Sequence, residues 1–189
     1  MDMKKYDICG HEVALLSQPD VWSPHSAVEM TTYLVEAGYL RGLENRRVLD
    51  MGTGSGVIGI LCGLLGAKSV ALSDLSRSSV EQASKNAESN GVAARCVESD
   101  RFGGFDKGED EYDLIICNPP VQPWLHTDPD RLLERASAAD WNESSQDGRL
   151  LLDALIEESA AYLSKNSALI TSCLTRHGHR KTIRLLDKH

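Results

Sequence analysis

Two stretches carry residue types that do chemistry. The first is Arg47-Val-Leu-Asp-Met-Gly-Thr-Gly-Ser-Gly-Val-Ile-Gly59, in which Asp50 stands two residues before three alternating glycines, Gly52, Gly54 and Gly56. Glycines at that spacing let a turn take positive φ and let a ligand approach bare backbone. The apolar run from Val57 to Leu65 reads as a helix. Its first N–H groups have no partner within the helix, so the turn suits a polar or anionic ligand. Asp50 adds a carboxylate, an acceptor able to bind an ammonium. Dinucleotide-binding folds use a similar turn, so the glycines alone do not choose the ligand. The second stretch is Asp113-Leu-Ile-Ile-Cys-Asn-Pro-Pro120. Two prolines directly after a buried-type strand cannot donate to a ladder. They stiffen a loop whose carbonyls remain acceptors. A planar –NH2 group would meet two acceptors there, the side-chain oxygen of Asn118 and the carbonyl of Pro119.

For these residues to act together, a fold must bring them to one edge. Strands are predicted over 47–51, 69–73, 94–98, 112–117 and 168–173, with helices after the first, second and fourth. Strands alternating with helices imply an α/β, doubly wound, mainly parallel sheet. Ligands in such sheets bind at the carboxyl ends of the strands, near the switch in strand order. Asp50, Asp74, Asp100 and Asn118 all fall at or just past strand ends. Asp74 can accept two hydrogen bonds from vicinal ribose hydroxyls, or cap the next helix. Ahead of this core, residues 5–17 read as a short hairpin around Gly10-His11. Ser26-Ala-Val-Glu29 is a capping box opening a helix over 27–40, with Met30, Tyr33, Leu34, Ala37 and Leu40 on one face. Ser78-Ser-Val-Glu81 is a second capping box, and its helix stops at Asn90-Gly91. A short helix is predicted near 131–138, a long amphipathic one over 148–163, and a last one from 179 onward. Residues 1–45 thus form a hairpin and helix packed on a core of 46–189, a single domain overall.

Composition limits what such a fold does. A chain of 189 residues is long enough for one domain with a substantial core. No apolar run reaches the roughly 20 residues that cross a bilayer, and the N-terminus lacks the apolar region of a signal peptide. The five cysteines have no Cys-x-x-Cys spacing and read as reduced core residues of a cytoplasmic protein, without metal. A net charge of −8 disfavours nucleic acid as a partner, because phosphate recognition requires a basic patch. The dense cluster Arg176-His-Gly-His-Arg-Lys181 reads as a solvated helix start.

The Asp50-x-Gly-x-Gly-x-Gly56 turn and Asn118-Pro-Pro120 together resemble the class I S-adenosylmethionine-dependent methyltransferases, over most of the chain. Asn118-Pro-Pro is similar to the Asn-Pro-Pro-Tyr of members acting on amide or exocyclic amine nitrogens. The segment from Ala138 to Asp153 resembles the release-factor glutamine methyltransferases, in compact members without a large N-terminal domain. The resemblance implies S-adenosylmethionine as cofactor and a Rossmann-like fold. Its cofactor-binding residues would be Asp50, Gly52, Thr53, Gly54, Gly56, Asp74, Leu75, Asp100, Arg101 and Asn118. Asp100 would meet the adenine amine, with Arg101 and Phe102 against the ring. Asn118, Pro119 and Pro120 would be catalytic, aiming the acceptor nitrogen at the methyl sulfonium. Val121 stands where the family has an aromatic residue, and Trp124 is the candidate replacement; both are candidate substrate contacts. Trp22 and Pro24 either cover the cofactor or staple the first helix. His25 and His126 read as ordinary loop histidines rather than a general base. The family adds two further strands after the last helix, and the sequence stops at Lys188-His189, so truncation is expected ahead of an edge left open for a partner or dimer.

The implied substrate is a glutamine side chain of a protein such as a release factor. An RNA base amine and a small metabolite are the alternatives within the same chemistry. A non-catalytic partner subunit that keeps the cofactor fold is the alternative outside it. Hydride transfer fits poorly, because Asn118-Pro-Pro has no role in it.

Overall fold

The computed structural model describes residues 3–16, 18, 21, 23–119, 149–173 and 179–187. A two-stranded hairpin comes first, β1 over Met3–Ile8 and β2 over His11–Leu16, paired from Met3↔Leu16 to Ile8↔His11. Its two-residue turn is Cys9-Gly10, both with positive φ, which matches the twist of the flanking strands. Next come α1 over His25–Glu36, β3 over Arg47–Met51, α2 over Val57–Leu64, β4 over Ser69–Asp74 and α3 over Arg77–Ser89. β5 spans Ala94–Glu98 and β6 spans Tyr112–Cys117. The chain continues as α4 over Leu150–Glu158, a 3-10 turn at Ser159–Ala161, β7 over Leu163–Thr171 and α5 over His179–Leu186.

The five strands β5-β4-β3-β6-β7 form one parallel sheet in that order. The chain starts at β3, works outward through β4 and β5, then returns to β6 on the other side of β3. The switch point therefore lies between β3 and β6, where Met51 pairs with Cys117. Alternation along β3 sends Val48 to one face and Leu49 and Met51 to the other. The first face is covered by α2 and by the hairpin residues Ile8, Val13 and Leu15. The second is covered by α4, with Leu151 and Leu155, and by Phe102, Phe105 and Tyr162. Arg47 ties the strand starts together, since its backbone N–H (2.8 Å) and its Nε (3.1 Å) both donate to Asp113 Oδ2. That pairing holds the Asp113 carboxyl well below the usual carboxylate range. Among the described residues no helix is long and apolar enough to cross a membrane.

Several expected boundaries move, each for a local reason. Neither capping box forms. α1 starts one turn position earlier behind Pro24, and α3 starts behind Ser76, without a side-chain cap in either case. Ser26 and Ser78 therefore lie inside the first turns. α1 stops at Glu36 because Gly38, at φ 80°, closes a Schellman turn: Gly38 N–H donates to Val35 and Tyr39 N–H to Leu34. Tyr33 is exposed rather than on the packed face, where Thr31 and Leu34 sit. The helix expected over 148–163 ends early because Tyr162 leaves it. That ring stacks on Phe102 at 4.4 Å, and its carbonyl accepts from Tyr112 N–H. β7 thus begins at Leu163, although regular pairing starts at Ala168, beyond an irregularity opposite Tyr112 and Leu114. Cys62 and Cys117 are buried as expected, whereas Cys9 and Cys173 are exposed.

Candidate active site

β3 delivers Asp50 to the face that α2 covers, on the same side as Val48. The side chain is 0% exposed. Its Oδ2 accepts from Thr53 Oγ1 at 2.7 Å and from Gly59 N–H at 3.0 Å. Its Oδ1 has no partner among the described residues. Burial pushes the carboxyl up to about 6, against the opposing pull of Thr53 and Gly59. Asp50 braces the glycine turn from beneath, and the Thr53 hydroxyl points down to it. α2 lies so close to the sheet that a Cβ at Gly59 would sit 2.2 Å from Leu72 Cδ2.

The turn itself runs through Gly52, Gly54 and Gly56 at φ 67°, 52° and 88°, a path only glycine takes without strain. Its outer face is bare: Gly52 is exposed, and a Cβ at Gly54 would meet nothing within 4 Å. Asp74, the last residue of β4, holds the side of the turn, with Oδ2 accepting from Gly54 N–H at 2.9 Å. Its Oδ1 accepts from Ser76 N–H at 2.9 Å, shaping the approach to α3. A carboxylate oxygen accepts two hydrogen bonds, so these contacts do not preclude a hydroxyl ligand. Behind the turn, Asn86 of α3 is 0% exposed. Its Nδ2 donates to Ser55 O at 2.8 Å, and its Oδ1 accepts from Leu16 N–H at 2.7 Å. Leu75 is an exposed apolar residue at the same edge. Asp100 is exposed beyond β5 and pairs with Arg101 Nε at 3.0 Å. Phe102 does not join them: it is buried in the second core against Tyr162. It therefore cannot face a ligand ring.

Asn118 follows β6 on the other side of the switch point and is half-buried; Pro119 is buried. Asn118 Oδ1 accepts from Ser172 Oγ at 3.0 Å, and Nδ2 donates to Ser26 Oγ at 3.3 Å. Ser172 also lines a cavity of about 300 Å³, shared with Tyr33, Tyr39 and Ile170. Trp22, Pro120, Val121, Trp124, His126 and the helix expected near 131–138 lie outside the described residues.

Residues 12–154 match the family model described as Methyltransferase small domain. The chain belongs to the methyltransferase small domain family. With it, the chain is an S-adenosylmethionine-dependent methyltransferase. A Methanocaldococcus jannaschii protein, provisionally named protein N5-glutamine methyltransferase, is 31% identical over 178 residues, covering 92% of this chain and 82% of that protein. The release factor glutamine methyltransferase of Bordetella pertussis is 38% identical over 117 residues, covering 60% of this chain and 41% of that one. Among solved structures, the 16S rRNA N2 G1207 methyltransferase of T. thermophilus, in complex with AdoMet and guanosine, superposes with a TM-score of 0.75. It is 22% identical, and the match covers 99% of this chain and 45% of that one. The chain thus spans under half the length of these last two proteins.

The residues of this methyltransferase fit its cofactor in kind. The turn presents bare glycine backbone, and two carboxylates and an exposed apolar side chain share its edge. Three contributors were not legible as such. Gly59 was not singled out, although it stands three residues beyond Gly56 on the buried side of α2. Asn86 carried a signal, because Gln82, Asn86 and Asn90 recur every four residues along α3 and all bond the β2 backbone. Ser172 carried none, since no local pattern marks it.

Proposed function

We propose that this methyltransferase transfers the methyl group of S-adenosylmethionine to a glutamine amide nitrogen of a protein, a release factor being the type of substrate, in the cytoplasm. The observation that carries the reading is Asn118-Pro119. Asn118 leaves the carboxyl end of β6, across the switch point from the glycine turn, and Pro119 follows it directly. The names of the Methanocaldococcus and Bordetella relatives support the same substrate class.

In this reading, the bare turn over Gly52, Gly54 and Gly56 receives the amino-acid part of the cofactor, and Asp74 accepts from its ribose hydroxyls. Asp100 accepts from the adenine amine, with Leu75 and Arg101 flanking the ring. When bound, S-adenosylmethionine supplies an electrophilic methyl on a positively charged sulfur. Asn118 Oδ1 and the Pro119 carbonyl would accept the two hydrogens of the glutamine –NH2 and so orient its nitrogen toward the cofactor. Such alignment contributes about 7–11 kcal/mol in favourable intramolecular cases. As the N–C bond forms, positive charge grows on nitrogen. Two fixed acceptors stabilise it without reorganising. One proton then leaves the nitrogen for water, and the products are N-methylglutamine and the thioether. Residues 1–45 support the core, through Asn86, rather than forming a separate substrate domain.

A base amine in RNA is the second reading, favoured by the fold shared with the rRNA methyltransferase. Incubation with methyl-labelled S-adenosylmethionine and a mixture of release factor and ribosomal RNA separates the two. Label in the protein, on glutamine, is the expected outcome. Label in guanine, with none in protein, would replace the first reading with the second.

A further inference from the structure

We infer that Ser172 is a positioning residue for Asn118, holding its amide in the plane that an incoming –NH2 requires. The inference rests on the proposed role of Asn118 as the acceptor-binding group. Asn118 stands at the end of β6, and nothing on its own strand fixes its side chain. Two hydroxyls do so from elements 92 and 54 residues away. Ser26 in the first turn of α1 takes one end of the amide, and Ser172 beyond β7 takes the other. Bonds at opposite ends of a planar group fix both its tilt and its rotation.

Ser172 is the stronger of the two partners, at 3.0 Å against 3.3 Å. Its place is also set by the sheet. Thr171 pairs in register with Cys117, so the next residues along, Ser172 and Asn118, leave the sheet side by side. With the Ser172 hydroxyl donating to Oδ1, one lone pair of that oxygen is taken. The remaining one then offers a single direction to an acceptor's N–H. An unclamped asparagine would have to order its side chain at each turnover, an entropic cost that the serine removes in advance.

The test uses the full chain and two readouts. In the 15N-labelled protein, the Asn118 side-chain –NH2 signal is the one lost in Asn118→Ala. Its side-chain order parameter should fall in Ser172→Ala, where the Oδ1 end of the amide is no longer held, and stay near wild type in Ser172→Thr. Turnover should follow: kcat about tenfold lower in Ser172→Ala, largely restored in Ser172→Thr, with S-adenosylmethionine affinity unchanged in both. An unchanged Asn118 order parameter in Ser172→Ala would overturn the inference. So would equal losses in both variants accompanied by weaker cofactor binding, the mark of a structural role. If the wild type methylates no glutamine, that reading fails by itself, because the order parameter of Asn118 is measured without any acceptor.

Discussion

The glycine turn and the Asn118 corner sit on either side of the same switch point, yet they are built in opposite ways. The turn is one contiguous run, braced from below by Asp50, from the side by Asp74 and from behind by Asn86. Its supports are buried or half-buried, and its ligand face is bare backbone. The corner is a single half-exposed side chain held by two serines distant in sequence. Such a division suits a group-transfer enzyme. On the proposed reading, the cofactor seat is held by several buried contacts, and the acceptor side depends on few, separable ones.

That contrast is best broken by substitutions that strike one region only. Asn118→Ala removes the acceptor contact and should lower kcat by about 10²–10³-fold, the usual cost of losing one preorganised group at the reacting centre. Single-turnover methyl transfer reads this directly. Asn86→Ala acts on the other region. It removes the Asn86 bonds to the half-buried Leu16 N–H and the buried Ser55 C=O, and should destabilise the fold by about 2–3 kcal/mol in urea unfolding.

Asp50→Asn sharpens the comparison through pH. The Asp50 carboxyl is raised from 3.8 to about 6 by burial. A raised acid binds its proton more tightly folded than unfolded, so stability falls as pH rises through that window. Wild type should lose about 3 kcal/mol there. The asparagine variant should show a flatter profile. Asp113 does not confuse the window: its carboxyl is lowered, so its contribution is complete above 3.8 and fades only below it. Asp74→Ala has the smallest expected effect, S-adenosylmethionine binding weaker by about tenfold as one charged hydrogen-bonding group is lost.

The sequence made the turn readable because its parts are adjacent: strand, alternating glycines and helix stand in one line. The sheet followed from five strand-like segments, most of them separated by helices, and Asn118-Pro119 stood out by its prolines. What was misread is instructive. The brace that Asp50 gives the turn went unread, because it follows from the two-residue period of β3, which puts Asp50 on the face of Val48. Ser26 and Ser78 resembled helix caps by spacing to glutamate. Pro24 and Ser76 took the boundary instead, and Ser26 became a partner of Asn118. Phe102 was drawn into the core by Tyr162, a contact 60 residues away that no local pattern shows. Ser172 reaches Asn118 only because β7 pairs with β6, and that adjacency is a property of the assembled sheet.

The claim that the two regions divide cofactor from acceptor is tested most directly by calorimetric titration of S-adenosylmethionine into wild type, Asp74→Ala and Asn118→Ala. The account predicts binding by the wild type, weaker binding by Asp74→Ala and wild-type affinity in Asn118→Ala. Loss of binding in Asn118→Ala with full affinity in Asp74→Ala would contradict it.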